Sequence, residues 1–263
     1  MRAVLFASSI ALALASGSAL AADLSLKGPP PAAALSWTGC YIDGGVGYGM
    51  WNQDHYAETS GLVAGSVATT DGGRGWLGRV GAGCDYQVSP SIVVGAFGDY
   101  DWMGLNGTSS LDVAGVTTST TLSGIAGNES ETGAWSVGAR IGYLVTPRLL
   151  SYFDGGYTQT TFGQVNYNNA ATGAATGLSL PATTYKGWFI GGGTEYALNM
   201  SFIPIQGLFW RNEYRFDSYG SRDIALSGVT GVSEHADKYV QTVTTGVVWK
   251  FNFGGPAPLV TKD

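Results

Sequence analysis

The charged residues that could do chemistry recur at a spacing of two. Asp99 and Asp101 are two apart, as are Arg211, Glu213, Arg215 and Asp217. On an extended chain that spacing puts side chains on one face. Paired carboxylates of this kind can share acid and base work or line an ion or proton path. Carboxylates interleaved with guanidiniums more simply form an ion-paired, hydrogen-bonded network, and abundant Arg partners favour that reading of Asp99 and Asp101. His55 and His235 fall in polar stretches that read as loops, with no companion ligands nearby in sequence, so both read as solvated histidines. Gly73-Arg74-Gly75-Trp76-Leu77-Gly78 matches a phosphate-cradling G-x-G-x-x-G, but no helix pattern follows it and the chain holds 41 Gly, so it reads as a chance match. No catalytic residue, cofactor site or metal site is expected.

The elements that carry these charges read as strands. Apolar and polar residues alternate at period two over residues 37–51, 74–88, 92–103, 132–145, 149–159, 184–198, 207–219 and 239–253. In each the apolar set is rich in aromatics: Trp76, Val80 and Tyr86 on one face against Arg79, Gly81 and Asp85 on the other, for example. The stretches 52–72, 105–131, 160–183 and 221–237 are polar and read as long loops, while 89–91, 146–148 and 199–201 read as tight turns. Long and short connections therefore alternate. The pattern predicts an all-β fold, an eight-stranded antiparallel up-and-down transmembrane β-barrel, with its apolar face to lipid and its charges inside.

By this register the interior charges are Asp43, Arg79, Asp85, Asp99, Asp101, Arg140, Asp154, Glu195, Arg211, Glu213, Arg215, Asp217 and Lys250. An eight-stranded barrel is just wide enough for its side chains to fill it, so the charges should form one buried network. Cys40 and Cys84 fall on the outward face near one end of the first two strands. Opposing them also sets Tyr41 against Gly83 and Gly45 against Arg79, large against small. A cross-strand disulfide there is geometrically open; two unlinked thiols facing lipid is the alternative.

Composition agrees. Charged residues make up only 12 % of the 263 residues, aromatics 12 %, and the net charge is −6, which argues against a nucleic-acid partner. Met1-Arg2, an apolar run to about Ala15 and Ala19-Leu20-Ala21 read as a signal peptide over residues 1–21. Residues 22–36, with Pro29-Pro30-Pro31, read as a linker; 37–253 as the barrel; 254–263 as a tail. An even strand count puts both chain ends on the periplasmic side of a bacterial outer membrane.

The closing strand carries Gly246, Trp249 and Phe251, in an order that resembles the signal read by outer-membrane insertion machinery. With Trp37-Thr38-Gly39, Gly98-Asp99-Tyr100-Asp101-Trp102, Gly191-Gly192-Gly193-Thr194-Glu195-Tyr196, Glu213-Tyr214-Arg215 and Trp249-Lys250-Phe251, the chain resembles the small outer-membrane β-barrel proteins of alphaproteobacteria. These are the immunogenic or porin-family proteins, similar to the OmpA-type barrel. The resemblance implies a non-enzymatic surface protein that supports envelope integrity, with weak pore activity at most; binding through long exterior loops is the alternative, and an enzyme acting on lipid or peptide a more distant one. Expected partners are outer-membrane lipid and lipopolysaccharide, the insertion machinery and periplasmic chaperones, with a monomeric barrel. Such barrels often end at the terminal aromatic, whereas here 252–263 follow.

Overall fold

The computed structural model describes residues 36–59, 68–111, 124–198 and 207–251. The expected signal peptide, almost all of the linker, the 199–201 turn and the tail lie outside the described residues. The described chain forms ten strands and no helix: β1 (Gly39–Thr59), β2 (Thr69–Gln87), β3 (Ile92–Leu111), β4 (Ile125–Thr146), β5 (Leu149–Phe162), β6 (Val165–Asn169), β7 (Ala175–Leu180), β8 (Thr183–Ala197), β9 (Leu208–Ala225) and β10 (Val232–Phe251).

Antiparallel pairing runs from β1 through β2, β3, β4, β5, β8, β9 and β10, and β10 pairs back with β1. Those eight strands close a ring, which leaves the ring itself no open edge. The described chain thus has ten strands where eight are expected, eight of them in the ring. β6 and β7 form an extra hairpin, with β6 pairing to the start of β4, within residues 160–183, whose polar composition predicts a loop.

The strands are also longer than expected. Residues 52–59, 69–72, 105–111, 125–131, 221–225 and 232–237, read as loop, continue the ladders. Their polar outward side chains hid the continuing alternation. One rim holds the start of β1 and the end of β10, where Cys40 faces Phe251; we call it the near rim. The far rim lies where His55 faces Ala236.

The outside carries the apolar side chains. Trp76 is 72 % exposed, Phe153 73 % and Ile141 57 %, surfaces that suit hydrocarbon rather than water. Aromatics pair across strands in a band toward the far rim, with Tyr48 opposite Trp76, Tyr100 opposite Trp135 and Tyr157 opposite Trp188. A second band near the other rim includes Tyr196 opposite Trp210. Such bands mark the two interfaces of a bilayer. Cys40 and Cys84 are bonded, Sγ to Sγ, on adjacent strands in register. Tyr41 lies opposite Gly83 as expected, and a Cβ at Gly83 would come within 2.5 Å of the Tyr41 hydroxyl.

Candidate functional site: the barrel interior

The inward residues of the near half are guanidiniums and carboxylates, and the sheet register sets them side by side. Arg79 faces Asp101 across β2 and β3, and Arg140 faces Asp154 across β4 and β5. Arg79 donates from Nε and Nη2 to the two oxygens of Asp101, at 2.6 and 2.7 Å, and from Nη1 to Glu213 at 2.6 Å. Arg215 donates twice to Asp99, at 3.0 and 2.9 Å, and again to Glu213 at 2.9 Å. Arg140 grips Asp85 through two bonds, at 2.9 and 2.6 Å, and reaches Glu195 at 2.6 Å. Arg211 bridges Glu195 and Asp43, and Lys250 donates to Asp85 at 2.6 Å. Two-pronged contacts of this kind are the strong form of the guanidinium–carboxylate pair.

Of the charges assigned inward from the sequence, Asp154 and Asp217 join no ion pair among the described residues. Both are buried, and neither oxygen of Asp154 has a hydrogen-bond partner. Asp99 and Asp101 are not a free acid–base pair: each holds a different arginine. The Gly73–Gly78 run lies inside β2, with no helix after it to cradle a phosphate.

The far half holds a second, sparser network that the sequence reading missed. His55 is not a solvated loop residue. It points inward from β1 and is fully buried. Its Nδ1 lies 2.7 Å from Glu234 and its Nε2 3.0 Å from Asp71. Burial disfavours the imidazolium, yet the two carboxylates outweigh it and raise the His55 pKa above its ordinary value. Tyr167 of β6 donates to Glu234 at 3.2 Å and exchanges a hydrogen bond with Ser109 at 3.0 Å. Burial and Glu234 push its phenol upward. Lys238 donates to Gln53 and to Glu129, the latter at 2.6 Å, under the rings of Trp51, Phe162 and Tyr185.

Part of this second network could have been found by extending the alternation. In β1 the inward set Tyr41, Asp43, Gly45 continues unbroken to Trp51, Gln53 and His55. In β10 the set ending at Lys250 begins at Glu234 and Lys238. Glu129 and Glu131 could not be reached this way, because the register shifts between Glu131 and Gly133 and inverts the phase.

Apolar side chains fill what remains. Trp37, Tyr41, Tyr152 and Phe209 cluster at the near rim. Trp51, Leu105, Phe162 and Tyr185 form a second cluster farther along. Leu111, Ile125, Val165, Tyr167, Leu178 and Val232 join a third, built where the β6–β7 hairpin meets the far ends of β1, β3, β4 and β10. The cavity beside Asp43, Arg79 and Arg211 measures about 10 Å³, room for about one water.

A closed antiparallel ring, apolar outside and ion-paired inside, defines a transmembrane β-barrel of the outer-membrane type. A family profile described as outer membrane protein beta-barrel domain matches residues 9–251, and the chain belongs to that family. It is 30 % identical to the 31 kDa outer-membrane immunogenic protein of Brucella melitensis biotype 1, over 95 % of this chain and 100 % of that protein. It is also 30 % identical to the 25 kDa outer-membrane immunogenic protein of Brucella abortus biovar 1, over 92 % of this chain and 95 % of that one. Among solved structures it superposes on the outer membrane protein OprG of Pseudomonas aeruginosa with a TM-score of 0.53 at 14 % identity, covering 82 % of this chain and 97 % of that one. That likeness concerns the fold.

Proposed function

We propose that this protein is a closed, monomeric, non-enzymatic barrel that stabilises the outer membrane mechanically and passes small solutes slowly at most. One observation carries the reading: the ion-paired networks and apolar clusters fill the interior from rim to rim. The ring itself offers no open edge for pairing with another copy, which supports a monomer. Conductance of the refolded protein in planar bilayers tests the proposal. Silence or small, rare events are expected, and large, steady conductance would overturn it.

The connections support an orientation. Two near-rim connections are short, between Gln87 and Ile92 and between Thr146 and Leu149, although ten residues lie between Ala197 and Leu208 in the chain; the longest connections, from Leu111 to Ile125 and from Phe162 to Thr183, are at the far rim. Barrels of this class keep short turns in the periplasm, so both ends of the ring belong there. Lipid and lipopolysaccharide then surround the outer wall. Gly246, Trp249 and Phe251 lie on the closing strand, where insertion machinery and chaperones would meet them. Gly246 has a packing role besides, since a Cβ there would come within 2.5 Å of the Gly44 carbonyl oxygen.

A second reading, binding through the far end, is favoured by a groove of about 470 Å³ lined by Thr108, Asn128, Gln164, Asn166 and Asn168. Neutral amides and hydroxyls of this density suit a polyhydroxylated ligand such as a saccharide. Glycan binding that disappears in Asn166→Ala would establish it; equal binding by that variant would dismiss the groove.

A further inference from the structure

The outward face of the far end presents chemistry that the interior does not explain. Three strands bring Glu58 of β1, Asp223 of β9 and His235 of β10 together. In the pairing register Tyr56, His235 and Asp223 form one row across the sheet, and Glu58 sits one row beyond Tyr56, opposite Ser233. His235 Nδ1 lies 2.5 Å from Asp223 Oδ1 and 3.9 Å from a Glu58 oxygen. The donor atoms of the three side chains all fall within 4.8 Å of one another. The Tyr56 ring stacks on the imidazole, centroids 5.0 Å apart and planes 29° apart, which fixes the orientation of the ring.

This neighbourhood is short of positive charge. Among the described residues no Lys or Arg nitrogen comes within ion-pairing distance of Glu58 or Asp223. In the next row toward the aromatic band Asp54 stands directly opposite Asp237, again without a Lys or Arg partner among the described residues. Like charges directly opposite on adjacent strands are destabilising. In the near half of the interior, by contrast, guanidiniums and Lys250 hold most of the carboxylates. The His235–Asp223 hydrogen bond accounts for one carboxylate; it leaves Glu58, the facing aspartates and their shared repulsion without a counter-charge.

We propose that Glu58, Asp223 and His235 form a divalent transition-metal site on the outer wall of the barrel, of the kind zinc occupies. An imidazole nitrogen with two carboxylate oxygens is a donor set for zinc and its first-row neighbours rather than for calcium or magnesium, which prefer oxygen alone. Around a tetrahedral ion with bonds of about 2.0–2.1 Å, donor atoms stand about 3.3 Å apart. The observed 2.5 and 3.9 Å separations bracket that value, so small side-chain rotations convert the cluster to a coordinating one. The metal takes the Nδ1 lone pair; the Nδ1 proton of the existing His–Asp hydrogen bond goes to solvent from the imidazolium or is exchanged to Nε2 in the neutral ring, so the bound imidazole is neutral with its proton on Nε2. The three protein donors leave a fourth position for water or an anionic headgroup oxygen. Tyr239 joins the aromatic band through Phe216, whose ring contacts both Tyr239 and Trp188; His235 is four residues beyond Tyr239, about 13 Å along the strand, which places the site outside the hydrocarbon.

The chain has 2 His, and His55 is sealed inside, so the assignment can be tested cleanly. The untagged whole chain, folded in detergent, is titrated calorimetrically with zinc, and each variant's unboiled gel migration confirms that its barrel is intact. We expect one zinc per chain. His235→Ala should weaken binding at least about tenfold, and Glu58→Gln and Asp223→Asn should each weaken it several-fold. His55→Gln should bind zinc like the parent. Failure of the folded parent to bind zinc would overturn the proposal. So would binding unchanged in His235→Ala, or binding that survives the double variant Glu58→Gln/Asp223→Asn, which would leave only a lone surface imidazole.

Discussion

The two halves of the interior solve the same problem with different residues. In the near half four arginines and Lys250 hold most of the carboxylates, and Asp101, Asp85 and Asp99 each take two bonds from one arginine. In the far half the buried positive groups among the described residues are one lysine and one histidine, Lys238 and His55. A guanidinium keeps its charge at every working pH; an imidazole does not. The arginine pairs of the near half thus form a fixed electrostatic plug, while the far half's His55 makes part of its cohesion depend on pH. The far half compensates with oil: the cluster under the β6–β7 hairpin includes Leu111, Ile125, Val165, Leu178 and Leu180. Mechanical rigidity belongs where the wall crosses lipid, and adjustability belongs where it leaves it.

Removing an arginine from the near half should have the largest effect. Arg140→Ala leaves Asp85 and Glu195 facing each other, with only Lys250 in contact with both. Breaking a buried pair while leaving its partners charged costs about 3–5 kcal/mol. The whole barrel should unfold at lower urea, and unboiled gel migration should collapse to the unfolded position at lower temperature. Next comes the disulfide. Cys40 and Cys84 are 44 residues apart, and chain-closure entropy for such a loop is worth about 4 kcal/mol at most. Their pairing register is already held by β1–β2 hydrogen bonds, so the observed loss on reduction should fall below that of Arg140→Ala. A larger loss would mean that the near half leans on the cross-link rather than on its charges.

A change of pH should separate the two halves. His55 has a pKa raised above 6.5. Its stabilising contribution is therefore complete below that ordinary value and is lost as pH rises through the raised one. Glu129 is also raised, by burial first and against the pull of Lys238, and acts in the same direction from 4.5 upward. Opening free energies of β6 and β7 amides, from hydrogen exchange corrected for intrinsic rates, should fall between pH 6 and 9. His55→Gln should flatten that dependence above pH 6. Near-half amides should keep the same pH dependence in His55→Gln as in the parent; if that variant alters them as well, the halves are one cooperative unit.

How far the fold could be read from the sequence follows the same division. In the near half every inward charge from Asp43 to Lys250 lies on a strand whose outward face is apolar, so period two is visible at a glance. Past the aromatic band the outward face turns polar, as at Asn52, Asp54 and Glu58, and the two faces no longer differ in polarity. The alternation continues, but nothing marks it. His55 was hidden for that reason, and Glu129 and Glu131 for another, the phase inversion at the register shift. The Glu58–Asp223–His235 cluster was invisible because its members come from three strands with more than a hundred residues between the first and the others; only the pairing register assembles it.

The smallest expected effect tests whether the far half is held by its polar network or by its oil. Tyr167 belongs to both: its ring lies in the apolar cluster, and its hydroxyl bonds Glu234 and Ser109. Tyr167→Phe keeps the ring and removes the hydroxyl. A hydrogen bond to a charged group contributes about 1.5–3 kcal/mol, and leaving a buried acceptor unpaired costs a similar amount. Glu234 retains His55 at 2.7 Å, so it is not left bare, and the loss should stay near about 1 kcal/mol. It should also be local, confined to faster exchange in β6 and β7, with global urea unfolding unchanged. Tyr167→Ala removes the ring as well and should cost about 3–5 kcal/mol by the large-to-small core rule. If the two variants cost the same, the hydroxyl carries the far end, and the comparison of a charged half with an oily half fails.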